Sequence, residues 1–243
     1  MRSRNSTVGI VVLGLVVGEL LSIELFKRLG ASFVLIPLAL GAVYFGNWLF
    51  ISLLILVVIL MAREWENITG GTLEGIHTAL IILTAGVSII FSSNGAFDLA
   101  LSTVIVGAFV SFACPRKNNG RSFWPVVGIV IVSLPAICLI WLRNSAEGLT
   151  IVIWLLLVLW ATDSGGFFCG KLIGGRRLVP RISPGKTWSG CLGGTISGVL
   201  VGVAMAFFLV ESSYIKVIFL STVISLVGQG GDITISALKR YFG

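Results

Sequence analysis

Long apolar runs separated by short polar stretches dominate the chain. They fall at about residues 8–26, 31–47, 48–62, 76–91, 97–113, 125–142, 149–169, 190–210 and 214–235. The runs are continuous rather than alternating, which favours helices over the strands of a membrane β-barrel. A transmembrane helix needs about 20 residues, so the shorter runs must borrow flanking residues to span. Gly46-Asn47 separates the second and third runs and predicts the tight turn of a helical hairpin. The pattern predicts an all-α, polytopic integral membrane protein with eight or nine transmembrane helices.

Composition agrees. Of 243 residues, 56% are hydrophobic and 11% charged. A soluble domain is about one quarter charged, and disorder requires low hydrophobicity; both classes are excluded. The net charge is +7, and its distribution orients the helices. For the last eight runs, thirteen cations fall on one side: Lys27, Arg28, Arg63, Arg116, Lys117, Arg121, Lys171, Arg176, Arg177, Arg181, Lys186, Lys239 and Arg240. Only Arg143 and Lys216 fall on the other. By the positive-inside rule the first side is cytoplasmic.

Run 8–26 fits this less well. If it spans, Arg2 and Arg4 lie outside, and it carries Glu19 and Glu24. A ninth span, an interfacial helix and an uncleaved signal-like piece all remain open. No small-residue cleavage site precedes Lys27. The expected organisation is an extra hydrophobic segment at 1–26 and a transmembrane domain at 27–243.

The inventory of reactive groups is sparse. His77 is the only histidine, and Cys114, Cys138, Cys169 and Cys191 form no CxxC pair. Zinc sites, disulfides and a Ser–His–Asp hydrolase are poorly supported. His77 and Asp98 suggest structural roles. Trp65 suits a membrane interface, with Glu64 and Glu66 beside it in solvent. Gly190, Gly194, Gly198 and Gly202 recur every fourth residue and predict a bare helix-packing ridge.

Three polar clusters on the cytoplasmic side can carry chemistry. In Trp160-Ala161-Thr162-Asp163-Ser164-Gly165-Gly166 an aspartate falls near the end of an apolar helix. An acid at membrane depth costs roughly 2.5–3.5 kcal/mol on insertion scales and usually faces a functional cavity. Loop 171–189 holds five cations and no acid. Basic loops follow from topology alone, but Ser183-Pro184-Gly185-Lys186-Thr187 concentrates hydroxyls and an ammonium in one turn, a donor set suited to phosphate or anionic headgroups. It is not a Walker loop, which needs glycine where Pro180 stands. The third cluster is Gly228-Gln229-Gly230-Gly231-Asp232, where an aspartate ends an apolar run among glycines that permit close backbone approach.

As a set, these clusters resemble the phosphatidate cytidylyltransferase (CDP-diglyceride synthase) family. The resemblance runs from Glu24 to the C-terminus. It is carried by the Asp163 segment, the Arg181-Ile182-Ser183-Pro184-Gly185-Lys186-Thr187-Trp188 stretch and Gly231-Asp232 followed by Ser236-Ala237-Leu238-Lys239-Arg240. Ile235 stands where the family commonly has Glu, and Phe167 where it often has Tyr. The family pattern continues past Lys-Arg to a Lys-Asp pair, a Pro-Gly-His-Gly-Gly turn and a terminal Asp-Arg-x-Asp. The sequence ends at Gly243, so the expectation is a shortened chain with weakened metal binding and rate.

The resemblance implies transfer of a cytidylyl group from CTP to phosphatidate, giving CDP-diacylglycerol and pyrophosphate. It implies Asp163, Lys186 and Asp232 as catalytic residues, with Asp163 and Asp232 holding Mg²⁺. Arg181, Ser183, Thr187, Ser236, Lys239 and Arg240 would bind substrate. Membrane lipids are the expected surroundings, in a bacterial inner membrane with the active face cytoplasmic. A homodimer is compatible, and nucleic acid is not an expected partner. Three alternatives stay open: an inactive remnant, a membrane scaffold and a related CTP-dependent lipid kinase.

Overall fold

The computed structural model describes residues 23–70, 75–114, 123–208 and 213–243, with side chains from residue 33 onward. The helices are α1 (Ile23–Phe45), α2 (Asn47–Ile68), α3 (Ile76–Ser93), α4 (Phe97–Ala113), α5 (Phe123–Arg143), α6 (Gly148–Leu172), α7 (Trp188–Met205) and α8 (Tyr214–Phe242). Between α6 and α7 lies a two-stranded antiparallel hairpin, β1 (Arg177–Val179) and β2 (Ser183–Thr187). Among the described residues, α2, α3, α5, α6, α7 with its 3-10 extension to Phe208, and α8 are long and apolar enough to cross a membrane. Phe33–Phe45 and Phe97–Ala113 are shorter apolar helical stretches. The protein is an all-α polytopic membrane protein.

The chain divides into two units, Met1–Phe45 and Gly46–Gly243. In the first, α1 is continuous from Ile23, so Lys27 and Arg28 lie within a helix and not in a loop between two runs. The rest of run 8–26, with Arg2 and Arg4, lies outside the described residues.

The second unit contains all three polar clusters. In α2 the residues Phe50, Leu54, Val58, Ala62 and Glu66 recur every fourth position and are all buried. The spacing makes one helix face. That stripe corrects two expectations: Glu66 is 1% exposed and Trp65 is 4% exposed. The helix simply continues past the apolar run, so its last turn packs inward. Trp65 donates its indole N–H to the Trp124 carbonyl at 2.9 Å, and Trp124 stacks edge-on with Phe242 at 5.0 Å. The end of α2, the start of α5 and the end of α8 therefore meet. At the opposite ends of α2 and α5, the Arg143 guanidinium lies against Gly46. His77 is buried, with its Nδ1 3.3 Å from the Ser111 hydroxyl.

The closest packing joins α6 and α7. All four ridge glycines are buried, and a side chain on any of them would enter a neighbouring helix. Gly194 faces the Thr162 carbonyl and Gly166 on α6; Gly198 faces the hydroxyls of Thr162 on α6 and Ser225 on α8. Those two hydroxyls are 2.7 Å apart. Small residues let the backbones approach, and the interhelical hydrogen bond fixes the register where lipid offers no competing partner.

Candidate active site

The site is assembled from α6, β2 and α8. Helix α6 spans the predicted run 149–169, carries Asp163 within it and ends at Leu172. Gly174 and Gly175, at φ +65° and +106°, then turn the chain; left-handed backbone after a helix favours glycine. The basic segment is not a loop with a tight turn at Ser183–Thr187. Pro180, Arg181 and Ile182 form the turn, and Ser183–Thr187 is an extended strand paired with β1. Trp188 N–H donates to the Arg176 carbonyl at 3.0 Å and closes the hairpin base.

Thr187 ends β2 and caps α7: Gly190 N–H donates to its hydroxyl at 3.1 Å. This satisfies one of the free N–H groups at a helix start. It also fixes where Lys186, one residue earlier, can reach. The Lys186 ammonium donates to the Asp232 carboxylate at 3.3 Å and to the Gln229 carbonyl at 3.3 Å. Asp232 does not end its helix; α8 runs on to Phe242. Gln229 and Asp232 are three residues apart, one helical turn, and so share a face.

Asp163, on α6, lies within electrostatic reach of both Asp232 and Lys186. Two carboxylates and one ammonium thus converge from three elements. Asp163 and Asp232 are exposed and Lys186 is half-buried. Beside them the backbone is open: a Cβ placed on Gly185, Gly230 or Gly231 would meet nothing within 4 Å. Of the glycines in the third cluster, only Gly228 packs, with Leu159 3.0 Å from its Cβ position.

The other expected binding residues are dispersed. Ser183 begins β2 and is half-buried, and Arg181 is exposed in the turn. The Ser236 hydroxyl donates to the Asp232 carbonyl at 2.8 Å. Lys239 pairs with Glu64 on α2 at 2.9 Å, and both are exposed. Arg240 is exposed one residue on. Sequence reasoning passed over Gln229, although it stands in the same glycine-rich segment as Asp232. Among the described residues, no group of three or more His, Cys, Asp or Glu is placed to hold a metal ion. Two carboxylates within electrostatic reach of each other are a donor set compatible with magnesium, which takes one or two protein carboxylates and completes its shell with phosphates and water.

The cytidylyltransferase family model matches residues 26–243, a stretch that includes every residue of this cluster. This chain belongs to the cytidylyltransferase family. The family member is 30% identical over 217 residues to the phosphatidate cytidylyltransferase of Brucella suis biovar 1 (strain 1330), covering 88% of this chain and 73% of the relative. It is 29% identical over 203 residues to that of Staphylococcus haemolyticus (strain JCSC1435), covering 80% and 76%. For that of Rickettsia bellii (strain RML369-C) the identity is 26% over 226 residues, covering 90% and 77%.

Proposed function

We propose that this cytidylyltransferase is a phosphatidate cytidylyltransferase, joining CTP and phosphatidate to give CDP-diacylglycerol and pyrophosphate. The observation that carries the reading is the convergence of Asp163, Lys186 and Asp232 beside an open, glycine-lined backbone. The names of the curated relatives support it.

A phosphatidate oxygen forms a bond to the α-phosphorus of CTP. The bond from that phosphorus to the bridging oxygen breaks, and its electron pair leaves with pyrophosphate. The protein's part in such a transfer is positioning and electrostatic stabilisation. Lys186 exchanges its Asp232 contact for phosphate oxygens as the polyphosphate arrives. Asp163 and Asp232 would hold Mg²⁺, which supplies charge neutralisation on the phosphates when bound. Gly185, Gly230 and Gly231 leave room for the polyphosphate near the backbone. Arg181 and Arg240, both exposed, raise the local concentration of anionic substrates.

The excess of cations on this side supports a cytoplasmic face, where soluble CTP would meet a membrane lipid. The bacterial origin of the relatives supports an inner-membrane location. Purified protein should form CDP-diacylglycerol from CTP and phosphatidate in a Mg²⁺-dependent manner, and Asp232→Asn should abolish it. Equal activity of the two proteins contradicts the site assignment.

A further inference from the structure

Gln229 takes no part in the transfer as described, yet its side chain makes two hydrogen bonds to the neighbouring helix. Its amide donates to the Cys191 carbonyl at 3.3 Å and to the Thr195 hydroxyl at 3.2 Å. Both acceptors are on α7. The Thr195 hydroxyl in turn donates to the Cys191 carbonyl at 3.0 Å, which turns its lone pairs toward the amide. The same residue's own carbonyl accepts from Lys186. Gln229 thus ties α8 to α7 through its side chain and to β2 through its backbone.

These bonds close a ring. From Lys186 the chain passes to Thr187, whose hydroxyl caps α7. From α7 the path crosses at Thr195 to Gln229, and from Gln229 it returns to the Lys186 ammonium. Asp232 lies one helical turn along the same face. Any slide or rotation of α8 against α7 would carry Asp232 and the Gln229 carbonyl away from the ammonium together. Elsewhere the α7–α8 seam is glycine against serine, as at Gly198 with Ser225 and Gly202 with Ser221. Such small-residue contacts permit close approach. The directional bonds of one amide add register between α8 and α7 at the level of the site, as the Thr162–Ser225 hydrogen bond does between α8 and α6.

We propose that Gln229 is the positioning residue of the active site: it registers α8 on α7 and so holds Lys186 and Asp232 at their working separation. Its kinetic consequence rests on the cytidylyl-transfer reading; its structural consequence does not. Misplacement of a catalytic group by about 1 Å costs up to roughly 100-fold in rate, so a residue that touches no substrate can control kcat.

The test uses Gln229→Met, which keeps the length and shape of the side chain and removes both donors. The first readout is independent of activity. The full-length protein in detergent is treated with a water-soluble amine acylating reagent, and modification of each lysine is followed by mass spectrometry. The expected result is several-fold faster labelling of Lys186, with Lys216 and Lys239 unchanged. The second readout is kinetic: kcat falls roughly 10- to 100-fold with little change in KM for CTP, and the loss vanishes when the substitution is made in a Lys186→Met background. Unchanged labelling of Lys186 overturns the proposal, and so does faster labelling of all lysines, which marks general loosening. If wild-type protein makes no CDP-diacylglycerol, the functional reading fails and the labelling still decides the role of Gln229.

Discussion

The Lys186 ammonium sits 3.3 Å from the Asp232 carboxylate, across 46 residues of sequence, at the meeting of a strand and a helix. Neither partner is fully buried. The contact therefore contributes little to stability, since exposed ion pairs are worth about 0–1 kcal/mol. On the proposed function, its value would be to keep a cation poised for the incoming phosphates.

Replacing that cation should be a catalytic lesion more than a folding one. Lys186→Met should lower kcat by roughly 10²- to 10³-fold, the usual cost of losing one preorganised stabilising donor. Lys186→Arg should not restore it, because a planar fork cannot reproduce a compact ammonium bonded to both the Gln229 carbonyl and Asp232. Initial rates at saturating CTP and phosphatidate check both variants. Rates within twofold of wild type for Lys186→Met contradict the assignment.

The two carboxylates should act as a unit. Asp163→Asn and Asp232→Asn should each raise the Mg²⁺ concentration needed for half-maximal rate. The double variant should lose less than the product of the single losses, because groups that serve one ion are not additive. Titrating the rate with Mg²⁺ checks this. An unchanged Mg²⁺ dependence in either single variant shows that its carboxylate holds no metal.

The open glycines give a prediction in which stability and function part. A Cβ at Gly231 meets nothing within 4 Å, and Gly is about 1 kcal/mol worse than Ala in a helix interior. Gly231→Ala should leave the thermal midpoint in detergent unchanged or raise it. If the polyphosphate lies along this backbone, the same change raises KM for CTP. A lowered midpoint, or a midpoint and KM both unchanged, contradicts an open, substrate-facing backbone.

Much of this was legible in the sequence. Continuous apolar runs identify membrane helices because lipid forces backbone polar groups to be satisfied within the helix. Asp163 and Asp232 stood out because acids are costly beside apolar membrane helices, and Lys186 because hydroxyls and an ammonium are concentrated around it. What misled was the end of hydrophobicity, read as the end of structure. Beyond the apolar runs α2 and α8 continue to Ile68 and Phe242, because helical hydrogen bonding does not require apolar side chains. Glu66 and Trp65 were consequently assigned to solvent and interface, whereas both are buried. The hairpin was hidden because Ser183-Pro184-Gly185-Lys186-Thr187 has the composition of a turn; its pairing with β1 supplies the strand. Gln229 was overlooked because its partners on α7 are a backbone carbonyl and a threonine hydroxyl, neither of which leaves a sequence signature.

The glycine ridge of α7 was read correctly, and its role can be measured. Gly198→Val would drive a branched side chain into the Thr162 and Ser225 hydroxyls. Overpacking of this kind typically costs 1–3 kcal/mol, and about that loss is expected here. Unfolding in detergent should shift accordingly, while Gly41→Val, where a Cβ meets nothing within 4 Å, should not. Equal shifts in the two variants contradict a packing ridge.

The central claim concerns which phosphorus of the nucleotide reaches the lipid. Purified protein is incubated with phosphatidate and CTP radiolabelled either at the α- or at the γ-phosphorus, and the lipid and aqueous products are separated. Cytidylyl transfer predicts α-label in a CDP-diacylglycerol lipid and γ-label in pyrophosphate. Label from the γ-phosphorus in the lipid, with CDP released, would identify a kinase and contradict the account; no labelled lipid from either nucleotide would contradict it as well.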